Sequence, residues 1–434
     1  MALHFEKSLE TWQETALKDA LELEKKGADI VVHFLIGSYL GEEIHVAHTA
    51  KCPLPDTLDA ENYDDLSKLL DVDWITDHSE KVLRMLPGGI TVVGIAAFCS
   101  KKTFSDQRVT LSKALVKTQR MATLLSSLDI EPFPSKMTLI HIDLTTKKSS
   151  SIITDVVKRG ADSPTKITYT ALKWISLVTR VAVDIRYAID VIAKDDFYAE
   201  FTSAIKPWTT ALFSDDTIFT FDGEIKDDAE AMVKDPKKMK NTNSVEVVMY
   251  TACASSSQCN SIHKVGEIFE VSFDLAVRAS LPIKSSIGDA KRALRHHIVR
   301  QLMARASLHY ESMELQEEGA RASPALHQFP RAATTVIPTG GCLLVYDFLF
   351  EGDTADDAIK NFNHLLGLEV SSVEQIDELW ERNLNEGEVE EPSLIIQHAH
   401  KPPIQSSSIS FFLIFLAIIA VIVAIVMFIV IKSS

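Results

Sequence analysis

DIVVHFLIGSYL (Asp29 to Leu40), the turn Gly41-Glu42-Glu43 and the run that starts at Ile44 and ends at Thr49 decide how the first third of this chain folds. β-Branched and aromatic residues dominate the first run, and they favour a pleated, buried strand. Polar residues at the turn then return the chain as the second arm of a hairpin. Cys52-Pro53-Leu54-Pro55 ends the pairing, because proline has no N–H for a sheet ladder. On the N-terminal side, Leu9, Trp12, Ala16, Leu17, Ala20 and Leu21 recur at helical spacing, so the first 25 residues read as a helix closed by Lys26-Gly27. On the C-terminal side a helical stretch near Asn62 to Met85 leads through Pro87-Gly88-Gly89 to a second apolar strand, Ile90 to Phe98. Arg108 to Leu128 has an amphipathic pattern, Met137 to Leu144 returns to strand, and Ser150 to Val157 pairs with it. These elements predict an α+β or α/β domain over residues 1–158.

A second mixed α/β domain is expected over residues 166–391. Lys166 to Lys173 and Leu177 to Val191 read as strands, and Asp195 to Lys206 as a helix stopped at Pro207. Asp227 to Ser244 is charged and Pro-interrupted, an exposed insertion. Val245 to Ala254, Glu267 to Ala279 and Cys342 to Phe350 read as strands. Ser286 to Met313 is the longest helix of this part, with Ile287, Ala290, Leu294, Ile298, Leu302 and Ala306 on one face. Gly319 to Pro338 reads as a loop, and Thr354 to Leu366 and Ser372 to Asn383 as helices.

Beyond a Pro- and Ser-containing tether at residues 392–410, Phe411 to Ile431 is an unbroken apolar run. A helix over it spans roughly 32 Å at ~1.5 Å per residue, close to the ~30 Å hydrocarbon core of a bilayer. Phe, Leu, Ile and Val fill 17 of its 21 positions. Together they favour insertion by about 5 to 10 kcal/mol. A single transmembrane helix at residues 411–431 is expected, with Phe411, Leu416, Val421, Val426 and Ile431 spaced through its depth. Three residues follow it, the pattern of a tail anchor inserted after synthesis, with the bulk of the chain cytosolic. Met1 to Lys25 lacks the basic start and apolar stretch of a secretory signal. The high hydrophobicity and the weakly basic flanks Lys401 and Lys432 favour the endoplasmic reticulum membrane over mitochondria.

The formal charge is −16, and residues 351–391 carry −11 of it (13 acidic, 2 basic). That balance argues against nucleic acid as a partner. Five scattered cysteines fit reduced thiols better than a disulfide framework. The sequence contains no Walker loop, no Gly-x-Gly-x-x-Gly, no Gly-x-Ser-x-Gly and no His-Glu-x-x-His. Cys253, Cys259 and His263 have zinc-ligand types but a loose spacing and no fourth ligand. His398 and His400 lie in the tether. His296-His297, among Lys291, Arg292, Arg295 and Arg300, reads as a basic exposed helix face. No catalytic residue, metal ligand or cofactor site is assigned.

The run VVHFLIGSYLGEEIHVAHTAKCPLP, a later apolar helix and LPGGITVVGIAAF resemble the MPN fold, the scaffold of JAMM metallopeptidases. Active members of that family place His-x-His-Pro directly after the strand ending in Val-Val-Gly. Here Val92-Val93-Gly94 is followed by Ile95, Ala96, Ala97 and Phe98, whose side chains cannot ligate zinc. Even with Glu42 or Glu43 where a base is needed, nothing would hold the attacking water. The resemblance therefore implies a catalytically dead MPN-like domain that serves as an interaction module.

That domain, LLVYDFLFE at Leu343 to Glu351, the acidic helices and the C-terminal anchor together resemble the odorant response abnormal protein four family over essentially the whole chain. The resemblance implies an adaptor that moves odorant and other G-protein-coupled receptors out of the endoplasmic reticulum toward cilia. It also implies a partner, a ubiquitin-fold-modifier-specific cysteine protease with an MPN-like domain of its own. Two other readings stay open. A membrane-tethered isopeptidase lacks its zinc ligands, and a SNARE-like tether would need about eight heptads where Gly352, Gly367, Gly387 and Pro392 intervene.

Overall fold

Period-two alternation of apolar residues places strands at the heart of the first half. The computed structural model describes residues 1–53, 71–125, 130–158, 161–190, 197–234, 243–250, 265–316, 329–338, 343–350 and 352–378. In chain order the first half holds β1 (Ala2–Glu6), α1 (Trp12–Lys25), β2 (Ile30–Leu40), β3 (Glu43–Lys51), α2 (Val72–Arg84) and β4 (Thr91–Cys99). It continues with α3 (Lys101–Leu124), β5 (Lys136–Asp143), β6 (Ser149–Asp155), β7 (Ser163–Thr165) and β8 (Ile167–Thr170). The strands form one mixed sheet of eight in the order β7-β6-β5-β4-β2-β3-β1-β8. The β2–β3 hairpin is antiparallel as its turn demands, whereas β1 lies parallel to both β3 and β8.

Each face of this sheet has its own apolar layer. Leu3, Phe5, Val31, Leu35, Val46, Ala96 and Phe98 turn toward α1, where Ala16, Ala20 and the half-buried Trp12 cover them. Val32, Phe34, Ile36, Ile95 and Ala97 turn the other way, into a core shared with α2, α3 and the second half. A bulge between Ile36 and Gly37 brings the two hairpin arms close together. A Cβ on Gly37 would lie 1.9 Å from the His45 carbonyl oxygen, so only glycine fits there.

The second half holds β9 (Trp174–Asp190), α4 (Phe197–Leu212), β10 (Ile218–Phe221), β11 (Glu224–Ile225), β12 (Asn243–Tyr250), β13 (Val265–Pro282) and α5 (Ile287–Gln316). It ends with β14 (Arg331–Ile337), β15 (Leu343–Leu349) and α6 (Ala355–Leu366). One sheet runs β11-β10-β12-β9-β13, and β14 pairs with β15 alone. The two halves lie within one compact unit, Met1–Leu384, and share an apolar core. The Pro87-Gly88-Gly89 loop joins them. Gly88 accepts from Ser280 N–H at 2.8 Å and donates to the Arg278 carbonyl at 3.0 Å. A Cβ on Gly88 would sit 2.2 Å from the Ala293 carbonyl oxygen on α5. Tyr346 N–H donates to the Met85 carbonyl at 2.8 Å, a second tie across the same seam.

Several elements differ from the expectation. Residues 2–6 are strand rather than helix, because β3 and β8 supply main-chain partners on both sides. Pro207 sits inside α4, not at its end. It forfeits the bond to the Ser203 carbonyl, while Phe201, Ile205 and Trp208 stay buried and hold the helix against the core. Arg331–Ile337, read as loop, is a strand, since the Leu343–Leu349 ladder pairs with all of it. Between Ser372 and Glu378, the described part of the expected Ser372 to Asn383 helix, there is a 3-10 turn, Val373–Gln375, and then a bridge from Asp377 to Thr334. Within the charged Asp227 to Ser244 segment, Met232 is buried and Ala231 bridges to Ser286, so that part is docked and not an exposed insertion.

No helix among the described residues is long and apolar enough to cross a membrane. The 411–431 run with Phe411, Leu416, Val421, Val426 and Ile431 lies outside the described residues, as do the tether and Cys253, Cys259, His263, His398 and His400.

Candidate functional site

Ile95, Ala96, Ala97 and Phe98 are consecutive residues of β4, paired with β2 on one side and β5 on the other. All four are fully buried. Ile95 and Ala97, which align with the two histidines of a His-x-His motif, share the face turned to the larger core. Ala96 and Phe98 face α1, and the Phe98 ring packs edge-on against Trp12 with centroids 5.8 Å apart. The zinc of an active metallopeptidase does not fit these residues: the strand offers methyl and methylene groups in place of nitrogen donors, and both faces are packed. Glu42 lies at the hairpin turn and pairs with Lys136 at 3.1 Å. Glu43 opens β3.

α5 departs most from its reading. Ile287, Ala290, Leu294, Ile298, Leu302 and Ala306 form a buried face as the spacing predicts. The opposite side is buried too. His296, His297, Arg300, Gln301 and Arg305 are all enclosed, so the expected basic exposed face is interior from His296 onward and partly exposed only at Lys291, Arg292 and Arg295. Arg300 Nη1 donates to the main-chain carbonyls of Leu86 (3.2 Å), Pro87 (3.3 Å) and Ile90 (2.9 Å). Burial lowers its pKa to about 9, which leaves it charged at neutral pH. Arg305 donates to the Pro330 carbonyl at 3.0 Å and lies over the Phe273 and Phe348 rings. Burial, reinforced by Arg300, pushes the His296 pKa down to about 3, and His297 is likewise held well below its ordinary value. Both imidazoles are neutral packing groups. Hydropathy alone could not place these cations, because the carbonyls that satisfy them are not local: those of Arg300 lie 210 or more residues earlier, and that of Arg305 lies 25 residues later.

The N-terminal turns of α5 do reach the surface, beside a cavity of about 420 Å³. Lys291 pairs with Asp228 at 2.6 Å and Arg292 with Glu131 at 2.9 Å, while Arg295 lies over the Phe213 and Phe219 rings. The two ion pairs offset two of the cavity's three cations from within.

Another cluster has metal-ligand chemistry. His4 on β1 lies opposite His45 on β3, and Glu43 precedes His45 by two residues on the same strand face. One donor atom from each of the three lies within 4.8 Å of the others. His45 Nε2 and Glu43 Oε2 are 3.0 Å apart. Burial lowers the His45 pKa, and the hydrogen bond to His45 lowers that of Glu43. A motif search misses this set because His4 is distant in sequence and joins only through parallel strand pairing.

The fold is that of a mixed α/β protein whose central strand is packed with apolar side chains on both faces. Residues 34–377 match the family profile described as ODR4-like, Odorant response abnormal 4-like. The chain is 39% identical over 415 residues to odorant response abnormal protein 4 of Caenorhabditis elegans, covering 94% of this chain and 86% of that one. It is 23% identical over 377 residues to protein odr-4 homolog of Homo sapiens, covering 82% of each. This chain belongs to the odorant response abnormal 4-like family. Among solved structures, that of UfSP from C. elegans superposes with a TM-score of 0.40 at 10% identity, covering 85% of this chain and 57% of that one. A score at that level is too low to carry fold or chemistry across.

Proposed function

We propose that this protein is a tail-anchored adaptor of the endoplasmic reticulum membrane. It promotes folding, export and ciliary trafficking of odorant and other G-protein-coupled receptors and recruits a ubiquitin-fold-modifier-specific protease. The observation that carries the reading is 39% identity, over 94% of the chain, to a relative whose name ties it to odorant response. The apolar packing of Ile95 to Phe98 supports an adaptor without peptidase activity, acting through an MPN-like N-terminal half. The run Phe411 to Ile431 supports the anchor, which contacts the lipid bilayer. Burial in a shared core supports testing the chain whole rather than in pieces.

The test is made in ciliated cells lacking the protein, with a tagged odorant receptor as reporter. Receptor should accumulate in the endoplasmic reticulum, return to the cilium with the full chain, and stay retained with a chain ending before Phe411. Immunoprecipitation of the full chain should recover the modifier protease, and the purified chain should cleave no modifier conjugate. Unchanged receptor traffic in the deficient cells would overturn the trafficking role. Loss of the protease from the precipitate would overturn recruitment.

A further inference from the structure

We propose that His4, Glu43 and His45 form a binding site for one divalent transition-metal ion of the zinc class. The topology forces the three donors together. β1 and β3 run parallel with His4 opposite His45, and Glu43 lies opposite Ala2. Leu3, Phe5, Ile44 and Val46 alternate with them and are buried in the core beneath α1, so His4, Glu43 and His45 take the other face. Gly37, across the hairpin, admits the His45 carbonyl so closely that this part of β3 is held in place.

The separations suit an ion. Bonds of about 2.0–2.1 Å in a tetrahedron put neighbouring donors roughly 3.3 Å apart. The His45 Nε2 to Glu43 Oε2 distance of 3.0 Å is already near that value. All donor atoms lie within 4.8 Å, and the His4 and His45 rings meet edge-on with centroids 5.5 Å apart, so small side-chain rotations close the set. Two imidazoles and one carboxylate are borderline ligands that favour zinc and its neighbours over magnesium or calcium, which take oxygen cages. Three protein ligands leave a fourth position open. His4 Nδ1 is enclosed without a hydrogen-bond partner, so the ring is incompletely satisfied by the protein itself. The exposed Lys284 ammonium acts on both Glu43 and His45 and opposes a cation there, which limits the affinity.

This site is separate from the strand of Ile95 to Phe98, where the resemblance would have put a metal and the packing forbids one. It also stands independently of the trafficking role.

The experiment uses the purified full chain in detergent micelles, titrated with Zn²⁺ by calorimetry and with Co²⁺ by visible absorption. The full chain should bind the ion with d–d bands of a tetrahedral nitrogen–oxygen site. His4→Ala, His45→Ala and the near-isosteric Glu43→Gln should each remove those bands and weaken Zn²⁺ by about tenfold or more, since even outer-shell partners are worth about 10–100-fold. Lys284→Glu, at an exposed position, should tighten binding. Circular dichroism identical to the parent's for Glu43→Gln separates ligand loss from misfolding. Absence of binding, or Zn²⁺ affinity and Co²⁺ bands unchanged in a folded Glu43→Gln chain, would overturn the assignment. Thiolate charge-transfer bands in place of nitrogen–oxygen ones would overturn it as well, by pointing to cysteines.

Discussion

β4 and α5 are both interior elements, but they are made of different materials. β4 runs Thr91–Cys99 with every residue buried, and eight of its nine residues are glycine, cysteine or apolar. α5 buries three histidines, two arginines and a glutamine beside its apolar face. The strand is satisfied by its neighbours' ladders, so apolar side chains suffice. The helix replaces part of the apolar filling with cations that donate to carbonyls of the first half and of residues before β14. Burial by apolar side chains can be recognised along one stretch of sequence. Burial by hydrogen-bonded cations needs partners outside the helix, 25 residues away for Arg305 and 210 or more for Arg300.

The largest effect should come from forcing one chemistry onto the other. Ile95→His with Ala97→His would place two imidazoles on the fully buried face of β4. Each unsatisfied polar group there costs about 2 to 7 kcal/mol by transfer, against a total stability of about 5 to 15 kcal/mol. The double variant should fail to fold, as read by circular dichroism and protease resistance. A folded variant that gains zinc would erase the distinction between the two elements.

Arg300→Met should come next. It keeps much of the volume but takes a donor from the carbonyls of Leu86, Pro87 and Ile90, of which Pro87 still accepts from Ile90 N–H at 3.3 Å. Part of the loss is offset by the desolvated charge that disappears. The net destabilisation should be about 2 to 4 kcal/mol in urea unfolding. A neutral result would mean that the cation is dispensable and that α5 is held by its apolar face alone.

The smallest effect concerns His33, which lies on β2 between Trp12 and Phe98. Burial, with a contribution from Lys51, lowers its pKa from 6.5 to about 3. The unfolded chain therefore takes up this proton at a higher pH than the native one. The stability His33 contributes is complete above pH 6.5 and is lost as the pH falls toward 3. The slope is at most about 1.4 kcal/mol per pH unit. His33→Phe should flatten the fall in unfolding free energy between pH 6.5 and 5 relative to the parent. An unchanged slope would show that His33 is protonated in the fold.

The same contrast explains what the sequence disclosed. The β2–β3 hairpin, β4, β15 and the apolar face of α5 were legible because their periodicity is local and uninterrupted. β1 was not, because Ala2–Glu6 becomes a strand only through two parallel partners, and β14 was hidden in a proline-containing stretch until β15 paired with it. Of the site, the absence of ligands at Ile95 to Phe98 was readable from residue type alone. The meeting of His4 with Glu43 and His45 was not, since nothing local reveals which strand lies beside β3.

The position of β1 sets a clock on biosynthesis. One of its edges finds β3 once Lys51 has been made, but the other must wait for β8, whose last residue is Thr170. At about 5 to 20 residues per second, roughly 8 to 34 seconds separate the appearance of Ala2 from that of Thr170. During that interval the nascent chain presents an open strand edge to the crowded exit of the ribosome. Such an edge is a template for wrong pairing, so slower elongation ahead of residue 170 lengthens the exposure of the newborn chain, and faster elongation shortens it.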